Sequence, residues 1–100
     1  MPLIGYIPRV LSNPDNQVRH NGNAQALGLT LTAHGSMPDE CAVFIQYRHY
    51  TADYRTTREK PFVIYSRHSG TSEYRASYRT LERAAIAARA IEERMREANA

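Results

Sequence analysis

Six of the seven tyrosines and seven of the thirteen basic residues fall between Cys41 and Thr80. The pairs Tyr47-Arg48, Tyr54-Arg55, Tyr74-Arg75 and Tyr78-Arg79 recur there, with Tyr50, Arg58, Tyr65 and Arg67 among them. Twelve of the thirteen basic residues are arginine. Its planar fork pairs phosphate or carboxylate through two parallel N–H bonds and stacks on rings, which lysine does not do. Strands that present arginine beside aromatic rings could hold phosphates and stack bases. The candidate contact residues are therefore Arg48, Arg55, Arg58, Arg67, Arg75 and Arg79 for phosphate, with Tyr50, Tyr54 and Tyr65 as stacking or positioning groups. Two other readings of the same pattern stand beside this one. Tyrosine and arginine are enriched at the energetic centres of protein interfaces. Tyrosine is also an ordinary strand residue and arginine a soluble one, and a coding sequence rich in G and C favours arginine.

Other chemistry is sparse. His20, His34, His49 and His68 lack the spacing of a zinc site, and Cys41 is the only cysteine. His49 and His68, at the ends of adjacent predicted strands, could approach as the acid and base of a metal-independent RNase; strand-end histidines in solvent are the plainer reading. Only Asp39-Glu40 and Glu92-Glu93 are paired acids, and neighbours on a strand or helix point apart. There is no glycine-rich nucleotide loop and no nucleophile elbow. Cys41 precedes Ala42, Val43, Phe44 and Ile45, the setting of a buried, inert thiol. No catalytic residue, metal site or cofactor is expected.

The elements that must position these residues follow from hydrophobic period. Leu3 to Leu11, broken by Gly5 and Pro8, reads as an edge strand or extended arm. Ser12 to Asn23 holds Asn13-Pro14-Asp15 and Asn21-Gly22-Asn23 and reads as a surface loop. Gln25 to Ala33 alternates, with Leu27, Leu29 and Leu31 on one side. Cys41 to Tyr50 sets Val43, Ile45 and Tyr47 against Phe44, Gln46, Arg48 and Tyr50. Thr51 to Lys60 reads as a hairpin loop. Phe62 to Arg67 sets Phe62, Ile64 and Ser66 against Val63, Tyr65 and Arg67. Glu73 to Arg79 places Tyr74, Ala76 and Tyr78 inward and Arg75 and Arg79 outward. Thr80 is a helix N-cap. Leu81, Ala84, Ala85, Ala88, Ile91 and Met95 share one helical face, with Ile86 on the far side, exposed or in a homodimer contact. Arg89–Glu93 and Glu92–Arg96 are four-apart pairs on the wet side.

With 100 residues, the chain suits one domain: an N-terminal strand or arm and loop over 1–24, a sheet over 25–79 and a helix over 80–97. The fold class expected is α+β, an antiparallel sheet of four to five strands with one C-terminal amphipathic helix packed on one face. Net charge is +3, and its basic excess sits in the middle forty residues, where seven cations face Asp53, Glu59 and Glu73. No apolar run reaches the ~20 residues of a membrane span, and Met1 to Leu11 lacks the apolar core of a secretion signal. A cytoplasmic location is expected.

Cys41 to Met95, three strands and then a helix opening with Thr80-Leu81-Glu82, resembles in architecture the small sheet-plus-helix DNA-binding domains of phage integrases. The leading expectation is a non-enzymatic module that binds DNA or RNA through a basic Tyr/Arg-rich sheet surface. The alternative is a phage or mobile-element inhibitor or adaptor, such as an anti-defence protein, that blocks a host protein or nucleoprotein complex with an acidic surface.

Overall fold

The computed structural model describes residues 3–32, 41–48, 59–68 and 70–98. In chain order the elements are β1 (Ile4–Ile7), α1 (Pro14–Ala26), β2 (Leu29–Leu31), β3 (Val43–Tyr47), β4 (Phe62–His68), β5 (Thr71–Tyr78) and α2 (Leu81–Ala98). The fold is α+β: a five-stranded open sheet in the order β2-β1-β3-β4-β5, with the C-terminal helix packed against it.

The antiparallel half, β3-β4-β5, forms as the alternation predicts. Val43, Ile45, Phe62, Ile64 and Ser66 share a face, and Ile45 pairs with Ile64. Both isoleucines are fully buried among Ala84, Ala85 and Ala88, whose small side chains let α2 lie close to the sheet. Truncating either isoleucine to alanine would cost about 2–5 kcal/mol. Thr80 caps α2: its Oγ1 accepts from the Arg83 amide at 3.3 Å.

The other half departs from the expectation of an all-antiparallel sheet. β1 is an interior strand, parallel to both β2 and β3. It ends at Ile7, so Pro8 falls just outside the ladder and removes no hydrogen bond from it. The segment read as a surface loop is a helix. Asn13 is its cap, accepting from the amides of Asp15 and Asn16, and Pro14 takes the first turn, where a missing N–H costs nothing. Asn-Pro-Asp thus starts a helix rather than a turn. That helix is the crossover which two parallel strands require, and it shortens the predicted strand at Gln25–Ala33 to three residues.

α1 is polar and buries only Ala24. Specific bonds hold it. The Gln17 side chain accepts from the Leu11 amide at 2.7 Å and donates to the Arg9 carbonyl at 3.0 Å, tying the β1–α1 connection to the helix. Ala24 and Leu27 join the core built by Ile4, Tyr6 and Leu29, so α1 and α2 lie on the same face of the sheet. The Arg89 guanidinium donates to the Leu27 carbonyl at the end of α1; Arg89 therefore tethers two helices instead of pairing with Glu93. Glu92 is buried and meets Arg96 at 3.1 Å, so that pair is half inside rather than on the wet side. Ile86 is exposed, as expected of its side of the helix.

Candidate functional site

Neither α1 nor α2 lies on the second face of the sheet, where Phe44, Tyr65, Arg67 and Tyr74 gather; Tyr47, Phe62 and Tyr78 pack on the helix side. Phe44 and Tyr65 face each other in register and stack with centroids 5.3 Å apart. Tyr74 opposes Tyr65 on the next strand and meets it edge-on at 6.5 Å. Phe44 is buried, Tyr65 half-buried and Tyr74 57% exposed, so the accessible aromatic surface is that of Tyr65 and Tyr74. Arg48 donates to the Tyr65 hydroxyl, and its guanidinium carbon lies 6.0 Å from the ring centroid. The guanidinium is held beside an aromatic group, and further N–H donors remain.

The Tyr74 hydroxyl lies 2.9 Å from Ser77 Oγ. Ser77 in turn lines a concavity of about 570 Å³ at the junction of β5 and α2, together with Lys60, Tyr78, Arg79, Thr80 and Arg83. Pairing explains the grouping. Arg48 donates its backbone amide to the Pro61 carbonyl, Tyr47 pairs with Phe62, and Phe62 with Tyr78. Residues from the end of β3, the start of β4 and the end of β5 therefore converge at one end of the sheet. Arg9, just past β1, joins them with its guanidinium 5.1 Å from the centre of the Tyr47 ring.

Of the nine residues expected from sequence, Arg48, Tyr65, Arg67, Arg75 and Arg79 are described; Tyr50, Tyr54, Arg55 and Arg58 lie outside the described residues, as does His49. Arg48 and Tyr65 meet. Arg67 shares their face and lies six residues along β4 from Pro61, roughly 20 Å by the rise of a strand. Arg79 stands at the converging end.

Arg75 and Tyr74 correct the expectation. Ile64 pairs with Ala76 while Tyr65 pairs with Tyr74, so Arg75 is an extra residue on β5. This bulge reverses the alternation below it. Tyr74, expected inward, is on the face away from the helices; Arg75, expected outward, reaches the buried Ser66 on the helix side. Lys60 and Arg83 line the concavity as well, outside the residues expected from sequence. Arg83 follows Arg79 by one helical turn across the Thr80 cap, a visible clue; Lys60 required the β4–β5 register.

Tyr6 and His20 form a part-buried titratable pair apart from this surface. Burial pushes the Tyr6 phenol well above its ordinary range. Burial, and then the charge of Arg9, hold the His20 imidazole below its own. The Tyr6 hydroxyl and His20 Nε2 share a hydrogen bond of 2.9 Å. Among the described residues no three His, Cys, Asp or Glu side chains converge as metal ligands. No helix among them is long and apolar enough to cross a membrane.

No protein-family model, no curated protein and no solved structure matches the chain.

Proposed function

We propose that the protein binds nucleic acid, DNA or RNA, as a non-enzymatic module of the cytoplasm. The observation that carries this reading is one continuous surface. It runs from Arg48 through Tyr65 and Tyr74 to Ser77 and on to Lys60, Arg79 and Arg83. Half-exposed rings beside guanidinium groups provide stacking area and phosphate donors in one place. In this reading Arg48 and Arg79 contact phosphate, Tyr65 and Tyr74 support bases or sugars, and Arg67 extends the contact along β4. Arg75 takes no part.

The test is fluorescence anisotropy with short single- and double-stranded DNA and RNA at several salt concentrations. Micromolar or tighter binding is expected, with log Kd rising against log salt by roughly 0.7–0.9 for each phosphate contacted. Absence of binding at low salt overturns the reading.

A second reading, a protein-binding inhibitor or adaptor, is favoured by a separate groove of about 690 Å³ between β5 and α2. Ala76, Ala87, Ile91 and Met95 form its floor, with Arg75 and Arg94 at its rim. An acidic protein surface would suit that rim. Binding of such a partner would be lost on Ile91→Asp and would fall less steeply with salt.

A further inference from the structure

We infer that the concavity at the β5–α2 corner is a phosphate-binding seat built from Lys60, Arg79 and Arg83. The inference deepens the nucleic-acid reading, because the seat is the end of the same surface. Three cations from three separate segments line one depression, and among the described residues no carboxylate lines it. Among the described residues none of the three has a carboxylate within 4.0 Å. Elsewhere in the fold arginines are engaged: Arg75 by Ser66 and Glu73, Arg89 by the Leu27 carbonyl, Arg96 by Glu92. Like charges brought together without counter-charge repel, and an anion of two negative charges relieves that repulsion. Ser77 and Thr80 add hydroxyl groups to the wall, which phosphate oxygens use readily. The Thr80 hydroxyl already accepts from the Arg83 amide, so α2 contributes the Arg83 side chain and not its terminus.

The chemistry recognised is a phosphate group, from a nucleic-acid backbone or as a free phosphate. The experiment compares the full chain with Arg79→Gln/Arg83→Gln. A matched control, Arg19→Gln/Arg96→Gln, removes one charge from α1 and one from the far end of α2. Oligonucleotide binding is measured across salt, and backbone amide shifts are followed during titration with inorganic phosphate and pyrophosphate. The expected result is about 10-fold weaker oligonucleotide binding in the first variant, a salt slope smaller by about 2, and no change of slope in the control. Phosphate should move the amides of Lys60 and Ser77 to Arg83. If the wild type binds oligonucleotide and the first variant keeps its affinity and slope, the seat is overturned and the wider reading stands. If no oligonucleotide binds but pyrophosphate moves those amides in the wild type alone, the seat stands for free phosphates and the nucleic-acid reading falls. If neither probe acts, both fall.

Discussion

Arg75 donates its Nε–H to the Oγ of Ser66 across 2.7 Å, from a bulge in β5 to a fully buried hydroxyl in β4. The bond draws one of the most prominent Tyr-Arg pairs of the sequence apart. Tyr74 stays on the face away from the helices and Arg75 crosses to the helix side.

Arg75→Ala should therefore act on stability and not on ligand. It leaves Ser66 without its partner, a loss of about 1–3 kcal/mol. Ser66→Ala in the same chain should recover part of that loss, because removing both partners strands no polar group. Urea unfolding of the two single variants and the double variant measures the coupling. Oligonucleotide affinity equal to wild type is expected for Arg75→Ala; a fall as large as that of Arg79→Gln would contradict the assignment of faces.

Tyr65→Phe keeps the ring and removes the oxygen that holds Arg48. Binding should weaken about 2- to 5-fold, the effect of losing one partly exposed hydrogen bond worth about 0.5–1 kcal/mol. Tyr65→Ala should weaken it further, by the stacking worth about 1–3 kcal/mol per base. If the two variants bind equally, the ring has no part in the contact.

The Tyr6–His20 bond predicts a pH dependence with a definite sign. The folded protein holds His20 below its ordinary pKa, which is near 6.5. In the window between the two values the unfolded chain binds more protons, so stability falls as pH falls. The contribution is complete above about pH 6.5 and lost as pH drops through the folded value. Protonation would also place a positive charge in a partly buried site near the Arg9 charge. Thermal unfolding from pH 8 to pH 5 should show Tm declining, and His20→Gln should flatten that decline. An equal slope in the variant would show that another group is responsible.

Gly28 follows α1 with φ +79°, and a Cβ there would meet the Arg89 guanidinium. Gly28→Ala should cost about 1–2 kcal/mol for the left-handed backbone, with loss of the Arg89 tether in addition. Arg89→Ala should cost less, since it leaves the backbone unstrained. Chemical denaturation that ranks the two in the opposite order would place the strain elsewhere.

The legible parts of the fold were those with a strong local period. The alternations Val43-Ile45-Tyr47 and Phe62-Ile64-Ser66 and the helical face Leu81-Ala84-Ala85-Ala88 each identify an element and its buried side, because burial of one face leaves its period in the residues. Asn13-Pro14-Asp15 does not by itself separate a turn from a helix start, because both use the same residues. The helix that follows has almost no apolar face, its place being fixed by Gln17, Ala24 and the demands of a parallel crossover.

The sequence by itself determined an α+β domain, a buried Cys41, a capped C-terminal helix and a basic, tyrosine-rich middle, all properties of neighbours within a few residues. Only the tertiary structure decided which cations stand together. Lys60 and Arg83 join Arg79 because β4 and β5 pair in one register and α2 begins at the end of β5. Arg75 leaves that company because a single extra residue reverses the pleat. Register and bulge are relations between paired strands, set by which residues face each other across the β4–β5 hairpin, and no pattern within one strand encodes them.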